Sequence, residues 1–338
     1  MKRAQILSSA GAATGMLLLI LDSKTAISGA ADGLSLCIRT VIPSLFPFIF
    51  LSVLLTGSFG GIRIPILRPI GKLLRIPEGA ESLLAVGFLG GYPVGAQSVQ
   101  TAWTQGTLTD GEARRMAVFC NNAGPAFLFG MASSLLPNRW MSWALWGIQI
   151  ISAVIVGMLL PGKSERWIRA GTEQTVSVTQ AMARSVRIMA GICGWVLIFR
   201  VVTAFLIRWV GWMLPPVGQA VIIGLLEISN GCIALAELEN VGLRFVIFSV
   251  FLSFGGLCVW LQTLSAAEGL DLRLYFPGKL LQAAISFSIA SLLQLRLPDK
   301  EVWHIPAFLP IGILTLVFFL YYLLKKQKIS RNPAPAVV

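Results

Sequence analysis

The stretch that decides the fold is Gly87-Phe88-Leu89-Gly90-Gly91-Tyr92-Pro93-Val94-Gly95-Ala96. Glycines at 87, 91 and 95 recur every four residues, so in a helix they share one face. Tyr92-Pro93 interrupts that helix, because proline has no N–H to donate and its ring crowds the preceding turn. The surrounding segment, 82–105, is largely apolar. In a bilayer, a broken backbone of this kind is tolerated only where it is packed in protein or lines a cavity. The reading of the break therefore depends on whether the chain lies in a membrane.

Composition points that way. Of 338 residues, 56% are hydrophobic and 12% charged, whereas a soluble domain carries about 25% charged residues. Mean hydropathy is +0.78. Several apolar runs approach the ~20 residues that cross a ~30 Å hydrocarbon core, and the short alternating segments of a membrane barrel are absent. The net charge of +12 does not mark a nucleic-acid binder. The basic residues cluster in loops between apolar runs, where the positive-inside bias puts them. The expected partner is the lipid bilayer, with no nucleic acid.

Cys37, Cys120, Cys193, Cys232 and Cys258 lie in apolar segments without CxxC spacing and read as small buried hydrophobes. The single histidine, His304, reads as an interfacial residue and excludes a multi-histidine metal centre. There is no Walker A loop, Ser-His-Asp elbow or HExxH. No cofactor, metal or enzymatic activity is expected.

In order, the chain predicts a first transmembrane helix (domain 1–25, with a GxxxG face at Gly11 and Gly15), preferred to a signal peptide because no small-residue cleavage site follows directly, a helix over 34–56 kinked by Pro43 and Pro47, and a basic connector. The broken segment 82–105 follows, then an apolar run over 116–136 interrupted by Asn121-Asn122-Ala123-Gly124-Pro125, and a span over 140–160. Thr109 or Asp110 is a plausible helix N-cap before the interrupted run. A basic linker, 161–187, divides the chain. Beyond it come 188–209, a second broken segment 218–238 containing Glu227-Ile228-Ser229-Asn230-Gly231, then 244–265 interrupted at Gly255-Gly256, 278–295, a last helix within 296–324, and a basic tail 325–338.

The order of element types in 26–160 returns in 188–295, with Gly87 matching Gly224 and Phe119 matching Phe251. Repeats of this kind mark secondary transporters. Each half of 82–105 reaches roughly 15 Å as a helix, about half a bilayer. If both broken segments are re-entrant hairpins, connectors 57–81, 106–115 and 161–187 and both termini fall on the cytoplasmic side. If both crossed fully, the arginine-rich 161–187 would face outward, against the positive-inside bias. The expectation is an all-α polytopic membrane protein of about eight transmembrane helices plus two re-entrant helical hairpins, in two inverted repeats.

The motifs Gly91–Ala96 (GYPVGA), Gly106–Gly130 (GTLTDGEARRMAVFCNNAGPAFLFG) and Gly224–Cys232 (GLLEISNGC) resemble the sporulation integral membrane protein family YlbJ, or SpoVV, of the wider nucleoside recognition or gate-domain group. The resemblance covers about 26–324. It implies a membrane protein of endospore formers that moves dipicolinic acid toward the forespore, placed in the outer forespore membrane, and an architecture like that of concentrative nucleoside transporters. Two departures are present: Gln97 stands where the family tends to have Lys, and Gly124 where it often has a small polar residue.

The candidate site follows from the chemistry of broken helices. Gly90, Gly91, Tyr92 and Pro93 expose backbone N–H groups and half-helix termini suited to a carboxylate. Asn121 and Asn122 supply amides to a substrate or a coupling cation, or else join helices. Ser229, Asn230 and Gly231 form the tip of the second hairpin. Glu227, an intramembrane carboxylate, is the candidate ion-coupling residue. Arg200, in mid-span, meets an anionic substrate or neutralises Glu227. The expected ligand is a small organic anion, by resemblance dipicolinate, moving with a proton or cation; a homo-oligomer is left open. Two other readings stay open: a permease for nucleosides or other organic solutes, and a non-transporting scaffold of a sporulation membrane complex.

Overall fold

The computed structural model describes residues 2–58, 64–162 and 176–298. The expected last helix, His304, the tail and most of the basic linker lie outside them. Among the described residues the fold is all-helical, with no strand.

The first half opens with α1 (Lys2–Leu21), which turns at Asp22 into α2 (Ser23–Leu36). Asp22 caps α2 by accepting from Thr25 N at 3.3 Å and from its hydroxyl at 2.8 Å. This cap places the first helix boundary a few residues before position 25. A π-helical turn over Cys37–Val41 leads directly into α3 (Ile42–Ser58). The expected helix over 34–56 is thus the second part of a longer one. The wide turn stands just before Pro43, which has no N–H for the helical ladder, and Ser44 Oγ donates to Thr40 O at 2.6 Å.

After α4 (Arg68–Leu73), the decisive stretch forms α5 (Glu81–Leu89) and α6 (Val94–Thr104), packed against each other around Gly90–Pro93. Next come α7 (Asp110–Phe119) and α8 (Pro125–Leu135), the halves of a helix broken at Cys120–Gly124, and then α9 (Arg139–Leu159). Thr109 is the N-cap of α7, in a capping box with Glu112.

The second half repeats this order. Helix α10 (Val178–Val210) begins ten residues earlier than expected, inside the basic linker, where Ser177 and Gln180 form a capping box. The pair α11 (Pro216–Leu226) and α12 (Ile228–Ala236) folds back on itself at Glu227. Then α13 (Val241–Phe254) and α14 (Gly256–Ala266) break at Gly255 (φ 82°), and α15 (Tyr275–Leu293) closes the described fold.

Packing between the halves is reciprocal. Helix α6 packs on α14, and α12 on α8; α7 packs on α15, and α13 on α9. The long helices α2 and α10 run antiparallel, with Asp22 meeting Arg208 at 2.7 Å, Asp32 meeting Arg200 at 3.3 Å and Cys37 meeting Cys193 O at 3.8 Å. Each hairpin tip lies on the break of its own half. A Cβ on Gly91 would stand 3.0 Å from Gly124 N, and one on Gly256 would stand 3.1 Å from Gly224 O.

Five helical stretches among the described residues are long and apolar enough to cross a membrane: Ser23–Leu54, Arg139–Leu159, Val178–Met213, Val241–Ala266 and Tyr275–Arg296. The other three expected spans have different outcomes. The apolar part of α1, Ser9–Leu21, is shorter than that. The 116–136 run is split between α7 and α8. The last lies outside the described residues.

Candidate functional site

The two hairpins and two broken helices converge on one region. Tyr92, at the tip of the first hairpin, donates from its hydroxyl to Leu252 O at 3.1 Å, on α13 of the other half. Tyr92, Gly124, Phe127, Glu227, Ser229, Val259 and Gln262 are among the residues lining a cavity of about 40 Å³, room for a few waters at most.

Glu227 is 2% exposed. Its carboxylate accepts from Ser229 N at 3.0 Å and Asn230 N at 2.8 Å, so it caps α12 from inside the helix break. The positive end of the helix dipole favours its charge there. Gly231 is packed on Gly224 and takes no part in lining this cavity.

A second cavity, of about 580 Å³, lies beside the first. Its lining includes Pro93 and Gln97 from the first hairpin, Gln180, Arg184, Arg187 and Trp195 from α10, and Gln262 and Ser265 from α14. The two cavities share Ile192 and Gln262. Arg184 donates to Thr101 Oγ1 at 3.1 Å, which ties α10 to α6. The larger cavity is thus walled by two arginines and borders the smaller one that Glu227 lines.

Arg200 does not form an ion pair with Glu227. It pairs with Asp32 and donates to Asn230 Oδ1, each at 3.3 Å. It therefore links α2 to the start of α12 and stands partly exposed. The Asp32 partner was not legible, because it depends on the antiparallel register of α2 and α10, and no local pattern reports a contact so distant in sequence.

Asn121 and Asn122 are fully buried and committed to protein partners. Asn121 accepts from Ala96 N at 3.3 Å and donates to Thr263 Oγ1 at 2.9 Å and the Tyr275 hydroxyl at 2.8 Å. Asn122 donates to Phe119 O at 2.7 Å and accepts from Gln282 Nε2 at 3.0 Å and Lys279 Nζ at 3.3 Å. They hold the break of α7 and α8 to α15, and neither lines either cavity. Gly90 and Gly91 likewise lie outside both linings, and their role here is close backbone approach: Gly90 to Ser52 and Gly91 to Gly124.

Lys279 and Gln282 escaped the sequence reading, because a lysine at the start of an apolar run reads as a flanking residue. The signal was present: Tyr275, Lys279, Gln282 and Ser286 follow helical spacing and form one polar face on a largely apolar helix.

The chain is 34% identical over 155 residues to the sporulation integral membrane protein YlbJ of Bacillus subtilis (strain 168). The matched stretch covers 44% of this chain and 36% of that protein. No family model matches the chain, and no solved structure matches it.

Proposed function

We propose that the chain belongs to the YlbJ family, to whose Bacillus subtilis protein it is similar, and that it is a secondary transporter of a small organic anion. Dipicolinate, moved toward the forespore across its outer membrane, is the first candidate. On this reading α5–α6 and α11–α12 are re-entrant hairpins of two inverted repeats, related as in concentrative nucleoside transporters, and alternating access works around the cavity at Glu227. The antiparallel pairing of α2 with α10 and the reciprocal contacts between the halves support an axis lying in the membrane plane.

The observation that carries the reading is the basic chamber beside the cavity that Glu227 lines. Arg184 and Arg187 stand three residues apart on one side of α10, at the chamber wall. Guanidinium forks match carboxylates in a planar, bidentate way. Trp195 offers an aromatic face for a flat ring, and Gln97, Gln180 and Gln262 offer amides. Together these suit a planar aromatic dicarboxylate better than an uncharged solute.

The chamber also lies at a basic end of the bundle. Arg114 meets Asp271 at 3.2 Å, Arg115 donates to Arg75 O at 3.1 Å, and Arg184 and Arg187 are nearby in the fold. Arg139, Arg208 and Arg244 belong to the opposite end. On this reading the positive-inside bias puts the chamber on the cytoplasmic side. Glu227, at the turn of the second hairpin, is the group that would carry a coupling proton.

The test is uptake of labelled dipicolinate into liposomes containing the purified protein. The reading expects uptake well above that of protein-free liposomes, suppressed by unlabelled dicarboxylates and untouched by uridine. Suppression by uridine would favour a nucleoside permease. Uptake at the protein-free level by folded protein would favour a non-transporting scaffold.

A further inference from the structure

The buried group that the transport reading does not use is Lys279. It is 1% exposed, and no carboxylate among the described residues forms an ion pair with it. Burying an ammonium without a counter-ion is costly unless its donors are met. Here three donors meet three oxygens: the carbonyl of Asn121, Gln282 Oε1 at 2.8 Å and Asn122 Oδ1 at 3.3 Å. The rings of Tyr92 and Tyr275 flank it, with centroids 5.2 and 5.8 Å from Nζ, within range of cation–π attraction.

The oxygens are held in place by their neighbours. Asn122 is fixed by its bond to Phe119 O, and Gln282 by donating to Asn122 Oδ1 and, at 3.3 Å, to Gln149 O. The Asn121 carbonyl lies just past the C-terminal end of α7, where the helix dipole is negative. A backbone carbonyl and two amide oxygens, all neutral, form the kind of ligand set that replaces the hydration shell of a monovalent cation. With no carboxylate among them, they do not balance a divalent charge.

We propose that the Lys279 ammonium occupies a monovalent-cation site, and that removing the side chain leaves a site that takes up a sodium or potassium ion. The tethered cation joins the first hairpin tip, through Tyr92, to the break of α7 and α8 and to α15. A chain that carries this cation covalently recruits none from solution to hold those parts together.

The test is thermal unfolding of the purified full chain in detergent, in NaCl, KCl and choline chloride at equal ionic strength. Lys279→Ala and Lys279→Ser are expected to melt at least about 3 °C higher in NaCl or KCl than in choline chloride, as ligand linkage requires. Wild type, and Lys279→Met, whose side chain refills the space, are expected to melt alike in all three. Three results would overturn the proposal: Ala and Ser variants insensitive to the cation, the same gain in wild type and Lys279→Met, or failure of both emptied variants to fold in either salt. The measurement involves no transport, so its failure leaves the transport reading standing, and absent uptake leaves this site standing.

Discussion

Gly224→Ala is expected to destabilise the protein by about 1–3 kcal/mol, the usual cost of overpacking, and trimming Phe251 to leucine in the same chain is expected to recover much of that. A Cβ on Gly224 would fall within the ring of Phe251, and Gly231 is packed against both. The obstacle is a side chain, so it can be moved out of the way. Phe251→Leu alone leaves a cavity and has its own cost. The double variant should therefore be more stable than the sum of the two single losses allows, as expected for residues in contact.

The equivalent substitution in the first half behaves differently. A Cβ on Gly87 or Gly95 would collide with the backbone of Cys120. No side-chain trimming relieves that, so Cys120→Ala should leave the cost of Gly87→Ala unchanged. Thermal unfolding of the purified wild type, the four single variants and the two double variants in detergent measures both comparisons. Equal rescue in the two halves would contradict the packing described for the hairpins.

The second large effect is on substrate capture. Reversing both Arg184 and Arg187 to glutamate changes the chamber wall from attracting to repelling an anion. The KM for dipicolinate uptake is expected to rise by at least about tenfold, because a charged cleft concentrates its ligand through the local field. The wild-type KM should rise with ionic strength and that of the variant should not, since salt screens the attraction. Arg184 also donates to Thr101 Oγ1, so a change there disturbs packing as well. Arg187→Glu alone separates the two effects, because Arg187 is exposed. Thr101→Val, which removes the tether together with the hydroxyl's bond to Gln97 O but leaves both arginine charges, should leave KM almost unchanged. Unaltered KM in the double reversal would show that the chamber is not the route of entry.

The parts of this architecture that were legible in sequence rest on local chemistry. Pro93 and Gly255-Gly256 interrupt a helix through their own backbone chemistry, and the breaks appear where these residues stand. Capping is equally local, which is why Thr109 was legible as a helix start. Helix lengths were less so. Neither the continuation of α2 through a π turn into α3 nor the early start of α10 is marked by apolar periodicity, because polar residues at the ends of long helices look like loops.

The site was legible in part. Tyr92, Pro93, Glu227 and Ser229 do line cavities between the hairpins and broken helices. For Asn121 and Asn122 the sequence leaves a choice between holding a ligand and joining helices; the structure shows the joining, to Thr263, Tyr275, Lys279 and Gln282 from the far end of the sequence. Arg184 and Arg187 were assigned to topology through their charge. Trp195 shares their helix, but only the fold brings them beside the tip of the first hairpin.

On the transport reading Glu227, at the turn of the second hairpin, couples movement of an anion through the protein. That coupling is tested most directly by uptake of labelled dipicolinate into liposomes carrying wild type or Glu227→Gln, matched for the amount of folded protein. The isosteric amide keeps one acceptor for the amides of Ser229 and Asn230 but loses the charge. The account predicts accumulation by wild type and at least a tenfold slower rate in the variant, consistent with loss of an essential proton-transfer group. Equal rates in the two would contradict it.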